Sequence, residues 1–107
     1  MFQFVESRLF ERLIYEYMDD ENYAAMQTWL SQWPESGDLV PRSGGCRKLR
    51  WQIAGRGKRG GVRVIYYVKL RDGCVWLLTI YGKGATDNIP GHLLKALKEE
   101  FVDGEDD

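Results

Sequence analysis

Lysine and arginine residues are concentrated in one segment of this sequence, where they could hold phosphate groups. The segment Pro41–Arg71, which we call the basic segment, contains ten Lys or Arg residues and no Asp or Glu. The chain as a whole has a formal net charge of -1, because eight carboxylates lie on either side of this segment. So long a run of one sign repels itself unless a polyanion compensates it, and nucleic acid is the commonest such partner. The basic segment therefore predicts a surface that binds nucleic acid.

Strand alternation would gather several of these side chains on one face of a sheet. Cations alternate with apolar residues in "CRKLRWQI", and a second alternating run, "VRVIYYVKL", leads through "RDG" into "CVWLLTIYGK". Arginine can hold two phosphate oxygens and stabilise the added charge of a pentavalent transition state, and tyrosine can stack on a base or donate a proton. The predicted patch contains no carboxylate in sequence, which gives a magnesium site or a paired-acid hydrolase little support. Its members are Lys48, Arg50, Arg63, Tyr81 and Lys83.

Such a patch could cleave RNA without a metal or any other cofactor. A lysine surrounded by other cations has a lowered pKa and can act as a base toward a ribose 2′-hydroxyl. Attack of that hydroxyl on the adjacent phosphate leaves a 2′,3′-cyclic phosphate and a 5′-hydroxyl. DNA lacks this nucleophile, so the predicted substrate is RNA.

The glycine-rich sequence "GRGKRGG" could place further cations at the rim of the sheet. Its glycines allow close approach to a ligand, and Arg56, Lys58 and Arg59, together with Arg47, are the predicted RNA-binding residues. The sequence matches neither a Walker loop nor a dinucleotide fingerprint, and a flexible hairpin connection is an equally good interpretation.

Other residues that often carry catalysis or bind metals give weaker signals. The single histidine, His92, is more simply interpreted as a structural or surface residue at the start of the last predicted helix. Cys46 and Cys74 have no CxxC spacing and no nearby histidine, so neither a zinc site nor a redox pair is predicted.

Length and composition predict one domain over residues 1–107, with an acidic tail at about 103–107. Hydrophobic residues make up 44% of the chain, enough for a modest core without disulfides or metals. The chain has neither a signal sequence nor a run of about 18 apolar residues, so we expect a soluble cytoplasmic protein with no membrane partner.

The elements predicted to position the patch form an α+β domain. The start "FQFV" predicts a short strand, and apolar spacing predicts a helix from Glu6 to Met18. A second helix, capped by Asp20 or Asn22, would bury Tyr23, Met26, Leu30 and Trp33, and "NIPGHLLKALKEEF" predicts a last helix. We therefore expect a small antiparallel sheet of three or four strands, with the two N-terminal helices packed on one face and a C-terminal helix.

Four segments together resemble a known family. They are "FVESRLFERLIYEYMDDENYAAMQ", "PESGDLVPRSGGCRKLRW", "GKRGGVRVIYYV" and "LLTIYGKGATDNIP", and they are similar to the RelE-like superfamily of type II toxin-antitoxin toxins, in its HigB branch. The resemblance implies the fold predicted above and ribosome-dependent cleavage of messenger RNA in the A site. It also implies neutralisation by a cognate antitoxin, expected to be a helix-turn-helix protein of the HigA type. The toxin would contact operator DNA only through this antitoxin.

The resemblance also implies roles for residues of the patch. Lys48 and Arg50 in "RKLR" match a pair that serves as base and phosphate ligand, and Arg63 matches an arginine that holds the scissile phosphate. Lys83 matches a basic residue after the third strand of the meander, and Tyr81 could supply a phenol from a neighbouring position. The sequence departs from RelE at Gly84, where RelE continues with a catalytic arginine, and it lacks the later base-stacking tyrosine. The alternative is therefore a noncatalytic RelE-like module that binds RNA or protein, including one of prophage origin, and an adjacent reading frame for a helix-turn-helix protein would favour the toxin.

Overall fold

The computed structural model describes residues 2–53, 61–84 and 89–104, and it shows an α+β fold. Five strands among these residues form one sheet, and three helices lie on its two faces. In chain order the elements are β1 (Gln3–Glu6), α1 (Arg8–Tyr17), α2 (Asp20–Gln32), β2 (Asp38–Leu39), β3 (Arg47–Trp51), β4 (Val62–Lys69), β5 (Cys74–Gly82) and α3 (Gly91–Lys98).

Side-chain caps fix the starts of α1 and α2. The Ser7 hydroxyl accepts a hydrogen bond from the Phe10 N–H at 2.9 Å, so α1 begins two residues later than its apolar spacing alone predicts. The Asp19 carboxylate accepts from the Asn22 N–H at 2.9 Å and caps α2, one residue before the predicted cap. The same Ser7 hydroxyl donates to the Leu78 carbonyl at 2.7 Å, which ties the start of α1 to the sheet.

The sheet has the order β1-β5-β4-β3-β2, and only β1 runs parallel to its neighbour. The other pairs are antiparallel, as the sequence predicts for the meander of β3, β4 and β5. The unexpected strand is the two-residue β2, for which the sequence shows no strand pattern. Its position follows from its neighbour Gly37, whose backbone N–H donates to the Tyr66 hydroxyl at 2.9 Å and whose carbonyl accepts from Arg47 at 2.8 Å.

Helices α1 and α2 cover one face of the sheet, as predicted. Apolar side chains of β3, β4 and β5 meet those of the two helices in a buried cluster. Its largest fully buried members are Phe10, Ile14, Met26, Leu30, Val64, Tyr66, Val75, Leu77 and Ile80.

The opposite face is covered by α3 and by a π-helical turn, Glu99–Asp103, that continues it. This second cluster is smaller, and α3 ends three residues before the predicted Phe101 because the helix widens into the π turn. Its buried members are Cys46, Ile65, Trp76, Leu78, Tyr81, Leu94 and Val102. The predicted acidic tail begins inside this turn at Asp103, and residues 105–107 lie outside the described part of the chain.

Among the described residues, no helix has both the length and the apolar character needed to cross a bilayer.

Candidate nucleic-acid interface

Three predicted site residues form one row across the sheet. Arg50 of β3 lies directly opposite Arg63 of β4, and Arg63 lies directly opposite Tyr81 of β5. Residues that face each other in antiparallel strands project from the same face, with Cα atoms about 4.5–5.5 Å apart. The alternation in the sequence therefore predicts this row correctly.

The two arginines and Lys83 line a shallow depression at the end of this row, which we call the cationic depression. Its volume is about 250 Å³, and its lining residues are Arg50, Trp51, Gln52, Gly61, Arg63 and Lys83. Lys83 follows β5 directly, and its backbone N–H donates to the Gly61 carbonyl at 3.4 Å. Within the described part of the chain, Arg63 forms no ion pair. The cationic depression thus presents three positive groups from three segments of the sheet.

A carboxylate lies nearer to this site than the sequence predicts. Asp38 in β2 is the register partner of Lys48, and its carboxylate lies 3.4 Å from the Arg50 guanidinium. The expectation of a patch without carboxylates is therefore wrong, because the short strand β2 brings an acidic residue from outside the basic segment to its edge. Both side chains of this ion pair are largely exposed, so solvent screens their attraction.

Lys48 lies on the same face as Arg50, one strand repeat away, but it lines a different depression. This second depression has a volume of about 300 Å³ and lies between β2 and the start of α3; Arg50 also lines it. Arg50 thus stands between Lys48 on one side and the cationic depression on the other. A phosphate bound to Arg50 could therefore be contacted by Lys48 from one side and by Arg63 from the other.

Tyr81 is placed in the predicted row, but its ring is buried. Its exposed fraction is 7%, its hydroxyl oxygen is also buried, and it packs in the cluster beneath α3. In this position Tyr81 is the register partner of Arg63, and its ring offers no free face for a nucleobase. The sequence predicts the face of Tyr81 but not the cover that α3 places over it.

Arg47, a predicted RNA-binding residue, is occupied within the fold. Its guanidinium donates to the carbonyls of Glu35 and Gly37 at 3.1 and 2.8 Å, and it lies 3.4 Å from the Glu35 carboxylate. Arg47 therefore holds the segment that leads into β2. The other three predicted RNA-binding residues, Arg56, Lys58 and Arg59, lie outside the described residues.

Sequence reasoning missed Trp29, which lines a groove beside the cationic depression. This groove, which we call the Trp29 groove, has a volume of about 480 Å³ and is lined by Trp29, Ser36, Asp38, Lys48, Leu49, Arg50, Trp51 and Gln52. The predicted burial of Trp33 is wrong, since Trp33 stands at the end of α2 with 57% of its surface exposed. The sequence does contain a signal for Trp29. This residue falls outside the apolar stripe of Tyr23, Met26 and Leu30, so the spacing places its large ring away from the core.

The weaker candidates lie apart from this interface. His92 is exposed in the first turn of α3. Cys46 and Cys74 are both free thiols, and burial raises the pKa of Cys46. Residues 2–53, 61–84 and 89–104 contain no group of three or more His, Cys, Asp or Glu side chains placed to hold a metal ion.

No known family model matches the sequence. A solved structure of E. coli toxin RelE, a double mutant in the free state, is similar to this chain over 96% of each chain. The TM-score is 0.53 and the sequence identity is 15%. The chain therefore has a RelE-like fold.

Proposed function

We propose that this protein is the toxin of a type II toxin-antitoxin module, of the HigB branch, and that it cleaves messenger RNA on the ribosome. The observation that carries the proposal is the opposition of Arg50 and Arg63 in an open depression that also contains Lys83. Like charges directly opposite on neighbouring strands destabilise a sheet, so their presence favours an anionic ligand. On a RelE-like fold, a phosphodiester of RNA is the ligand that best fits this arrangement.

The proposed reaction is a transesterification that needs no metal or cofactor. The Lys48 amine takes the proton of the 2′-hydroxyl, and the 2′-oxygen forms a bond to phosphorus. The bond between phosphorus and the 5′-oxygen breaks, and that oxygen leaves with a proton from a group of the site. Arg50 and Arg63 stabilise the extra negative charge of the pentavalent phosphorus, and Lys83 adds charge from the far side. The products are a 2′,3′-cyclic phosphate and a 5′-hydroxyl.

The proposal implies two kinds of partner. The ribosome would present the message in the A site, where Arg56, Lys58 and Arg59 could add contacts to RNA phosphates. A cognate antitoxin of the HigA type would neutralise the toxin and link it to operator DNA.

The test compares a translating extract with the same naked message, with 5′ ends mapped by primer extension. We expect new 5′-hydroxyl ends within codons only during translation. The double variant Arg63→Ala with Lys83→Ala should lose this cleavage and remain folded. The matched control is Arg8→Ala with Arg12→Ala, which removes two exposed charges from α1 and should cut like the natural protein.

Three outcomes would count against the proposal in different ways. Cleavage of naked RNA would indicate a nuclease that does not depend on the ribosome. RNA binding without cleavage in either reaction would favour the noncatalytic module. Unchanged cleavage by the folded double variant would remove Arg63 and Lys83 from the site.

A further inference from the structure

We propose that the Trp29 groove binds the base of a nucleotide next to the phosphate in the cationic depression, by stacking it on the Trp29 indole. This inference rests on the proposed function, since it assumes a single-stranded RNA substrate. It assigns substrate positioning to a residue of α2, far in sequence from the basic segment.

The Trp29 groove adjoins the cationic depression. Both are lined by Arg50, Trp51 and Gln52. A nucleotide chain that places one phosphate between Arg50 and Arg63 would pass the edge of β3 at Arg50 to reach the groove. The groove volume of about 480 Å³ lies within the range of small-molecule sites, so it has room for a base.

Trp29 is held in place before any ligand binds. Its indole N–H donates to the Ser36 hydroxyl at 2.9 Å, and its ring lies 6.3 Å from the ring of Trp33 in a tilted arrangement. Even so, 41% of Trp29 remains exposed. A large aromatic side chain with a fixed orientation and an open surface can stack on a base with little further loss of conformational freedom.

The groove runs along the outer edge of β3. Five consecutive residues, Lys48 to Gln52, line it, so both faces of the strand contribute. The register partners of β2 are limited to Arg47 and Lys48, which leaves the rest of this edge uncovered by β2. The fold thus provides an extended channel at this edge.

The chemistry of the groove favours RNA over a peptide strand from a partner protein. Lys48 and Arg50 add positive charge beside the exposed indole, and proteins that bind single-stranded nucleic acids combine aromatic side chains with cations in this way. A peptide strand would gain from the adjoining cationic depression only where it carried acidic side chains, whereas every nucleotide carries a phosphate.

The test measures binding of a six-nucleotide RNA whose riboses all carry 2′-O-methyl groups, so that it cannot be cut. Affinity is measured by fluorescence anisotropy at several salt concentrations. We expect Trp29→Ala to weaken binding about tenfold, without a change in the salt dependence, because no phosphate contact is lost. Trp29→Phe, which keeps a ring but loses the hydrogen bond to Ser36, should bind within about threefold of the natural protein.

Tyr15→Ala is the matched control, because Tyr15 is an exposed aromatic residue of α1 that does not line the groove. It should bind the RNA like the natural protein. Equal weakening by Trp29→Ala and Tyr15→Ala, or no weakening by Trp29→Ala, would overturn the inference. Loss of antitoxin binding by Trp29→Ala with unchanged RNA binding would also overturn it and identify a protein-docking site.

The binding test and the cleavage test fail independently. If Trp29→Ala binds normally while the natural protein cuts messages during translation, the proposed function stands and the groove assignment is wrong. If the natural protein binds the RNA through Trp29 but does not cut messages, the groove assignment stands and the proposed nuclease activity is wrong.

Discussion

Arg50 and Arg63 face each other directly across β3 and β4, so the sheet carries two like charges in one register pair. Asp38 offsets the charge of Arg50 from the outer edge, whereas Arg63 has no ion-pair partner among the described residues. The arrangement costs folding free energy and prepares a place for an anion. Stability and function should therefore respond in opposite directions when this pair is changed.

Replacing Arg63 with glutamine should separate these two effects. We expect the free energy of unfolding to stay constant or to rise by a few tenths of a kcal/mol, up to about 1 kcal/mol, because the repulsion with Arg50 is removed. Message cleavage should fall by roughly a hundredfold or more, because one group that stabilises the transition state is lost. Urea unfolding and the translating extract provide the two measurements, and Arg71→Gln, a charge loss in the turn after β4, serves as the control. A loss of stability above about 1 kcal/mol would contradict the inferred repulsion between Arg50 and Arg63.

Replacing Asp38 with asparagine should strengthen RNA binding. The ion pair with Arg50 is exposed, so its loss should cost less than about 1 kcal/mol of stability. Affinity for the uncleavable RNA should rise by about two- to fivefold, because a phosphate bound to Arg50 no longer competes with the Asp38 carboxylate. Glu16→Gln changes the net charge by the same amount on α1 and should have less than about a twofold effect. Equal gains in both variants would show that only net charge matters.

Replacing Gly37 with alanine should destabilise the edge of the sheet. A Cβ atom there would lie 2.8 Å from a ring carbon of Tyr66 and 3.0 Å from the Lys48 carbonyl oxygen. We expect a loss of about 1–3 kcal/mol in urea unfolding, because buried ring and backbone atoms must move. Gly104→Ala is the matched control, since its Cβ would meet nothing within 4 Å and its φ of -66° suits any residue. The prediction fails if the two variants unfold alike.

The free energy of unfolding should fall at high pH because the buried Tyr66 hydroxyl ionises less readily than it does in the unfolded chain. Burial is the main cause that raises the pKa of Tyr66 above its ordinary value of 10.0. The unfolded chain therefore releases this proton first, so the contribution is complete below pH 10 and is lost as the pH rises from there toward the folded pKa. Each such group changes the free energy of unfolding by at most about 1.4 kcal/mol per pH unit.

Urea unfolding between pH 8 and pH 11 measures this slope. Tyr66→Phe should lower stability at neutral pH, because the hydroxyl donates to the Pro34 carbonyl at 2.8 Å, and it should also make the alkaline decline shallower. Burial raises the pKa of Tyr23 as well, so Tyr23→Phe added to Tyr66→Phe should flatten the decline further. An unchanged alkaline slope in both variants would exclude these phenols as its source.

The sequence predicts most of the local structure of the site and less of its surroundings. Period-two alternation predicts which side chains share a face within each strand, and the register of β3, β4 and β5 then brings Arg50, Arg63 and Tyr81 together. The register shift between β4 and β5, at Ile65 and Tyr66, lies outside this row. Alternation does not predict which element covers that face, so the burial of Tyr81 under α3 could not be predicted from the sequence. Asp38 could not be foreseen because its meeting with Arg50 depends on a two-residue strand without a hydrophobic pattern.

The pairing of β1 with β5 has a consequence for how the protein is made. Gln3 pairs with Cys74, and the Ser7 hydroxyl donates to the Leu78 carbonyl, so the first strand of the sheet in chain order can pair only after the last has been synthesised. Contacts between residues so distant in sequence form late and slow the folding of small domains. We therefore expect a nascent chain to remain without its completed sheet until β5 has emerged. During that interval β1 and the cations of β3 and β4 are present without the strand that joins them, and any activity of the site begins only after β5 has been synthesised.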